Sequence, residues 1–334
     1  MRIAIIASLL LFGLTQAVAT INVVTTTQDL ASIARAVGGS RVSVSSIVTG
    51  ARDPHFIEAR PSYMSRVASA NLFIAIGLDL EVGYERPILD GSRNRRVAIG
   101  QPGHLYASAG CLILDRRTDV SRADGDVHPH GNPHIWLDPY NARQMAWNIR
   151  GALIRVDPAG RDDYEKNALA FLDRLDRAMF GAALVDRFGT STLWTWSQEG
   201  RLMQRLRENG AAAQLSGWAG KMAPAAGQAI ISYHRSWIYF ANRFGLQVVA
   251  ELEPKPGIEP TPGHLASVVE IARSRNVKAI VQEPFYSRGA ADFVAGRTQA
   301  KVLVLPGSVG HTPVATDYFK LMDVIVDSVS SALR

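Results

Sequence analysis

The chain has 334 residues, a single cysteine at Cys111 and a formal net charge of +6 at pH 7. One cysteine excludes an internal disulfide. The Lys and Arg residues are scattered along the sequence and form no clustered basic patch, so the positive charge does not indicate nucleic acid as a partner. The length is sufficient for two domains of ordinary size.

The N-terminus has the pattern of a secretory signal peptide. Arg2 gives it a positive start, residues 3–14 are largely apolar, and Ala17-Val18-Ala19 is a small-residue cleavage site. The apolar run is shorter than the roughly 20 residues that a membrane-spanning helix needs. We therefore predict that residues 1–19 are removed, that the mature chain begins near Thr20, and that the protein is exported to the periplasm. Cys111 is far from the cleavage site, so a lipid anchor there is not predicted.

The first half of the mature chain alternates short apolar runs with helical patterns, which is typical of βαβ units and a parallel sheet. A helix capped by Asp29 is predicted to run through Val37, and a second helix is predicted from Pro61 through Ala68. Strands are predicted at Ile21 to Thr25, Val42 to Val48, Leu72 to Ile76 and Arg96 to Ile99.

The second half begins with a longer helical pattern, over residues 141–156, which Asp157-Pro158 interrupts before a second helix with apolar residues at i, i+3 and i+4 spacing. Residues 187–224 have no clear periodicity. From residue 229 the α/β alternation resumes, with helices predicted near 237–243, 262–273 and 315–332. Strands are predicted at Ala229 to Ser232, Gln247 to Glu251, Val277 to Val281 and Lys301 to Leu305.

This order of elements predicts an α/β protein with two parallel-sheet lobes. We expect an N-terminal α/β lobe at 20–140, linking helices at 141–186 and a C-terminal α/β lobe at 187–334. Ligands of open α/β sheets bind beyond the carboxyl ends of the strands, so we expect the site in the cleft between the lobes.

Three histidines follow or border apolar, strand-like stretches in different parts of the chain. They are His55, His134 and His234. Their wide separation matches no short zinc-finger pattern, so spacing alone is weak evidence for a metal site. A histidine with satisfied hydrogen bonds is the commoner case.

Short sequence motifs surround these histidines and occur in a specific order, and the resemblance that they carry extends from about residue 21 to the C-terminus. The chain resembles the metal-binding receptors of bacterial ABC importers, of the ZnuA and TroA type, also called cluster A-I substrate-binding proteins. The motifs that carry this resemblance are Asp53-Pro54-His55, Asn132-Pro133-His134-Ile135-Trp136-Leu137-Asp138-Pro139, Ser232-Tyr233-His234 and Gly257-Ile258-Glu259-Pro260-Thr261-Pro262.

The resemblance implies two α/β lobes joined by a long rigid helix, with the metal at their interface. It implies that His55, His134 and His234 are ligands and that a membrane permease receives the metal. A metallochaperone is a second candidate partner, and we expect a monomer. A third imidazole favours Zn²⁺, whereas a carboxylate in that place favours Mn²⁺, and the general preference of imidazole for zinc agrees with this.

The fourth ligand is where the sequence departs from the family pattern. The family often has an Asp in the loop after the last strand, but residues 304–310 contain no carboxylate. Glu283, at the end of the preceding predicted strand, is the first substitute, followed by Asp317, His311 or water. The alternative is that Glu283 only pairs with an arginine such as Arg235.

Three further residues are predicted to have accessory roles. Residues 124–130 look like a short form of the mobile His-rich loop of zinc receptors, in which His128 and His130 would collect metal. The alternative is a polar surface loop. Asp138, shortly after His134, is a candidate to orient an imidazole from behind.

The leading hypothesis is therefore a binding protein without enzymatic activity that captures Zn²⁺ in the periplasm. The alternative is a zinc-dependent hydrolase that uses three histidines and a bound water, with Glu283 as general base. The sequence contains no H-E-x-x-H pair and no nucleophile motif, which speaks against an enzyme. A metal-dependent surface adhesin is a third hypothesis, but the chain has no recognisable anchor.

Overall fold

Two parallel four-stranded sheets, connected by long helices, make up the structure of the protein. The structure is a computed structural model that describes residues 20–116 and 128–334. The predicted signal peptide at 1–19 and residues 124–127 of the His-containing segment lie outside the described residues. Within the described ranges, no helix is both long and apolar enough to cross a membrane.

The first sheet has the strand order β2-β1-β3-β4, and every neighbouring pair is parallel. Its central strands, at 21–25 and 72–75, are mostly apolar and buried, as expected for a parallel sheet with helices on both faces. The elements are β1 (Ile21–Thr25), α1 (Gln28–Gly38), β2 (Val42–Ser46), α2 (Pro61–Ala68), β3 (Leu72–Ala75), α3 (Glu85–Ser92) and β4 (His104–Tyr106).

The predictions for this half are confirmed except at two places. The strand predicted at Arg96 to Ile99 is wrong: Arg95–Val97 form a 3-10 turn, and the fourth strand lies at His104–Tyr106. Helix α1 is capped by Thr27 rather than Asp29. Asp29 is buried, and its side-chain oxygens accept hydrogen bonds from the Ser308 hydroxyl and from the Val309 amide (2.9 Å), far along the chain.

Two long helices, α4 (Pro139–Val156) and α5 (Arg161–Phe180), follow the first sheet. Asp138 caps α4 with Pro139 in its first turn, and Asp157 ends it, as the sequence break predicted. The stretch without clear periodicity consists of short helices, which bury Leu193, Trp194 and Trp218 against the long ones. These short helices are α6 (Ala182–Phe188), α7 (Thr190–Gln198), α8 (Leu202–Glu208) and α9 (Gly217–Met222).

The second sheet repeats the topology of the first, with the parallel order β6-β5-β7-β8. The predicted bounds of its strands hold to within two residues. Its elements are β5 (Ala229–Ser232), α10 (Ile238–Phe244), β6 (Gln247–Glu251), α11 (Pro262–Ser274), β7 (Ala279–Gln282), α12 (Gly289–Ala295), β8 (Lys301–Val304) and α13 (Tyr318–Ala332).

A single apolar core joins the two sheets. One face of each sheet contributes to it, through residues such as Val23 and Ile74 in the first sheet and Ile230 and Val281 in the second, together with α4 and α5. The opposite faces have separate cores of their own. Large rotations of one lobe against the other would therefore expose apolar surface, which is unfavourable.

Candidate metal centre

His55 lies in the irregular segment that follows β2, and its own neighbour holds the ring. Asp53 Oδ1 accepts a hydrogen bond from the His55 backbone amide at 2.9 Å and lies 2.7 Å from the ring nitrogen Nδ1. The other ring nitrogen, Nε2, is buried and has no partner among the described residues. Asp53 therefore fixes the ring and leaves Nε2 available.

The ring of His134 is held by the same arrangement of hydrogen bonds. Asn132 Oδ1 accepts from the His134 backbone amide at 3.0 Å and lies 2.9 Å from Nδ1 of the ring. The amide nitrogen of Asn132 donates to the Arg235 carbonyl at 2.9 Å, so it is the oxygen that faces the histidine. In each case, the first residue of an Asx-Pro-His motif positions the imidazole, so both histidines of the first lobe are held in the same way.

His234 comes from the second lobe, two residues beyond β5. Its Nδ1 lies 2.8 Å from Oε2 of Glu253, which follows β6 and is itself buried. Each of the three rings therefore presents Nδ1 to a protein oxygen. An oxygen acceptor selects the tautomer with the proton on Nδ1 and leaves the Nε2 lone pair free.

The three imidazoles converge at the carboxyl ends of the strands, between the lobes. One ligand atom from each of His55, His134 and His234 lies within 4.8 Å of the other two. The ring centroids are separated by 5.0, 5.4 and 5.2 Å. The cavity at this point has a volume of about 20 Å³, which is room for about one water molecule. A space of this size suits a single ion.

Burial and neighbouring charges set the protonation of this cluster. Burial, reinforced by the other imidazoles, lowers the pKa of His134 well below its usual range. Burial also disfavours the charged ring of His234, but the hydrogen bond and charge of Glu253 outweigh it and raise the pKa of His234. Burial opposes the charge of Asp53 as well, yet the contacts with His55 leave the pKa of this carboxyl lowered.

Two more polar side chains line the same cavity, Glu283 and His311. Glu283 Oε1 accepts a hydrogen bond from the Ser236 hydroxyl, while its Oε2 is buried without a partner in the described ranges. Burial raises the pKa of Glu283 to about 7, although His234 counteracts this. His311 is buried too, and its Nδ1 is likewise unpartnered there.

Comparison with protein families supplies the assignment. A family model described as "ZnuA: Zinc-uptake complex component A periplasmic" matches residues 23–179 and 212–332. The chain belongs to this family. Its members are substrate-binding proteins of ABC transport systems and not enzymes, so the hydrolase alternative is not supported.

Relatives in this family include proteins named for zinc and for manganese. The high-affinity zinc uptake system protein ZnuA of Yersinia pestis is 23% identical over 314 residues, covering 89% of this chain and 86% of the relative. A manganese ABC transporter substrate-binding lipoprotein, PsaA of Streptococcus pneumoniae, is 30% identical over 159 residues, 47% of this chain and 48% of the relative.

Solved structures of the family have the same fold. A crystal structure of ZnuA superposes with a TM-score of 0.69 at 22% identity and covers 94% of this chain and 100% of that one. A Mn-bound periplasmic metal-binding protein from Candidatus Liberibacter asiaticus has a TM-score of 0.67 at 19% identity, with coverage of 94% and 100%. The two-lobe α/β prediction is thereby confirmed.

The accessory residues predicted from sequence lie in different surroundings. Both carboxylate oxygens of Asp138 bond Arg243, at 2.7 and 2.8 Å, so Asn132 rather than Asp138 supports His134. Asp317 caps α13. His130 is exposed and lies 3.8 Å from Asp79, whereas the ring of His128 lies 5.1 Å from that of His55.

The arginine proposed as an alternative partner of Glu283 has other partners. Arg235 bonds Asp115 and Glu251, and Glu283 bonds Ser236. The roles of Asp53, Asn132 and Glu253 in holding the three rings were not predicted from the sequence. The repeated Asx-Pro-His motif was a usable signal for Asp53 and Asn132. No sequence motif links Glu253 to His234, because their contact depends on the pairing of β5 with β6.

Proposed function

We propose that this chain captures one transition-metal ion, Zn²⁺ in preference to Mn²⁺, and delivers it to an ABC permease. The observation that carries the proposal is the convergence of three imidazoles from both lobes, each with Nδ1 held by a protein oxygen. Oxygen partners on the outer nitrogen fix the orientation of ligating histidines and raise their basicity in zinc sites.

The donor set supports zinc as the preferred ion. Nitrogen ligands such as imidazole suit Zn²⁺, whereas Mn²⁺ favours carboxylate, carbonyl and water oxygens. Three neutral imidazoles at a buried point leave one tetrahedral position for a further ligand. A site with three nitrogens and one oxygen fits zinc better than manganese.

Glu283 is the proposed fourth ligand. Its Oε2 is buried in the cavity without a partner among the described residues, and an unpaired buried carboxylate oxygen is costly unless something binds it. A Cβ atom added at Gly307, in the loop after β8, would lie 2.7 Å from Cγ of Glu283. The Glu283 side chain thus occupies space next to a loop from which the family often presents a carboxylate. His311, on the same cavity wall, is the alternative.

The place of action follows from the family. The N-terminal pattern at 1–19 and the periplasmic description of the family support capture outside the cytoplasm and transfer to a permease in the inner membrane. We propose the same division of the chain as the sequence indicated, with the metal between the lobes at 20–140 and 187–334 and the helices of 141–186 linking them.

Metal analysis and equilibrium dialysis test this proposal. The protein as isolated should contain about one zinc per chain, and an excess of Mn²⁺ should not displace it. His55→Ala, His134→Ala and His234→Ala should each lose tight binding. His264→Ala is the matched control, because its Nε2 lies 3.0 Å from the Glu251 carbonyl, on helix α11 outside the cavity. Tight zinc binding in all three site variants would place the site elsewhere.

A further inference from the structure

The carboxylate oxygen of Asp53 that does not hold His55 faces the second lobe. Asp53 Oδ1 bonds the His55 ring, while Oδ2 lies 3.5 Å from the hydroxyl oxygen of Tyr286, which comes shortly after β7. Among the described residues, this is the only hydrogen bond between the irregular segment 49–60 and the second lobe. The segment that carries His55 is therefore linked across the cleft through the Tyr286 hydroxyl.

The other histidine of the first lobe is held in the same order, by shorter hydrogen bonds. Asn132 bonds the His134 ring, and its amide nitrogen donates to the Arg235 carbonyl of the second lobe at 2.9 Å. The Tyr239 hydroxyl, also from the second lobe, donates to the Asn132 carbonyl at 2.6 Å. In both cases an Asx side chain lies between an imidazole of the first lobe and a polar group of the second, so the orientation of the ring depends on both lobes.

The Tyr286 side chain is itself held in place within the second lobe. Its ring stacks on that of Tyr233, with the centroids 4.0 Å apart and an angle of 14° between the planes. Its backbone amide donates to the Glu283 carbonyl at 3.3 Å, and its carbonyl accepts from the Gln282 side-chain amide at 3.1 Å. Burial and the surrounding carboxylates raise the pKa of Tyr286 well above its usual range, so the hydroxyl keeps its proton. Tyr286 is therefore a hydrogen-bond donor at a defined position.

We propose that Tyr286 is a positioning residue of the metal centre, whose hydroxyl holds Asp53 and thereby makes the orientation of His55 depend on the second lobe. This inference rests on the proposed function of the site. Tyr286 acts through Asp53 and is not a ligand. Its turn begins at Glu283, the proposed fourth ligand, so one segment of the second lobe supplies a ligand and orients another that comes from the first lobe.

Tyr286→Phe tests this role, because it removes the hydroxyl and keeps the stacked ring. One hydrogen bond corresponds to a roughly 2- to 10-fold change in an equilibrium constant. We expect the variant to bind Zn²⁺ more weakly by that factor, measured on the full chain by competition with a chromogenic chelator. Tyr233→Phe is the matched control: it changes the other ring of the same stacked pair, and the Tyr233 hydroxyl makes no hydrogen bond to any described residue. Its zinc affinity should equal that of the wild type.

A double-mutant cycle with Asp53→Ala separates positioning from packing. If Tyr286 acts through Asp53, Tyr286→Phe weakens zinc binding in the wild-type background and has no further effect when residue 53 is alanine. A residue that only packs the loop would cause the same loss in both backgrounds.

Three results would overturn the inference: wild-type affinity in Tyr286→Phe, the same loss in both backgrounds, or an equal loss in Tyr233→Phe. All three leave the proposed function intact, because they concern only how His55 is oriented. A wild-type protein that does not bind zinc contradicts the proposed function and this inference together.

Discussion

The contact between Asp53 and His55 allows a test of how much orientation contributes to metal affinity. Asp53→Ala removes the oxygen that accepts from both the backbone amide and Nδ1 of His55. The ring is then free to rotate, and either nitrogen can carry the proton. Loss of such an outer partner costs about 10- to 100-fold in metal affinity, which corresponds to about 1.4 to 2.7 kcal/mol of binding free energy.

Asp53→Asn separates the hydrogen bond from the charge. Asn132 performs the same role for His134 with a neutral amide oxygen, at 2.9 Å instead of 2.7 Å from Nδ1. If geometry is what Asp53 supplies, Asn at position 53 should retain most of the affinity that Ala loses. A competition titration of each variant against a chromogenic zinc chelator gives the Kd values, and thermal unfolding of the metal-free proteins shows whether the fold is intact.

Two results would refute this reasoning. Wild-type affinity in Asp53→Ala would mean that the hydrogen bond does not orient His55 for the ion. Equal loss in Asp53→Asn and Asp53→Ala would mean that the negative charge, and not the hydrogen-bond acceptor, is what the site requires.

Three further predictions concern buried ionisable groups. Glu283→Gln should weaken zinc binding by more than the roughly 10- to 100-fold that is typical for loss of a residue that only supports a ligand, and Gly307→Ala should weaken it less, by displacing the Glu283 carboxylate. Equilibrium dialysis of both variants checks this, and unchanged zinc affinity in Glu283→Gln would contradict direct ligation. Because Glu253 raises the pKa of His234, zinc should displace a proton from this ring, so that zinc affinity falls as the pH drops through that pKa. Calorimetry in buffers of different ionisation enthalpy should detect less proton release after Glu253→Gln, and a Kd independent of pH would contradict this prediction. Burial raises the pKa of Asp29 from 3.8 to about 7, so between these two values the folded metal-free protein holds a proton that the unfolded chain releases. The folding stability that this proton contributes should be fully present below about pH 4 and be lost as the pH rises through 7. Asp29→Asn should flatten this part of the plot of Tm against pH, and an unaltered plot would show that Asp29 is not responsible.

The sequence by itself predicted most of the secondary structure and singled out the three histidines that the structure brings together. Strands such as Leu72–Ala75 and Ala229–Ser232 are buried on both faces and mostly apolar, and a helix such as Pro61–Ala68 has its own start signal, so local composition decides them. The strand predicted at Arg96 to Ile99 was wrong because three apolar residues in a row, at 97–99, are too few to show a periodicity of their own. His55 and His134 could be predicted because the motifs Asp53-Pro54-His55 and Asn132-Pro133-His134 resemble those of a known family, and the structure shows that the first residue of each motif holds the ring.

Only the tertiary structure decided which groups surround the three histidines. Glu253 supports His234 through the alignment of two parallel strands, and Glu283 reaches the cavity because Gly307 has no side chain to fill that space. Asp29, which the sequence placed as a helix cap, instead joins the lobes through Ser308. Such contacts link residues that are distant along the chain, and they depend on how the two sheets pack around their shared core, which no local pattern specifies.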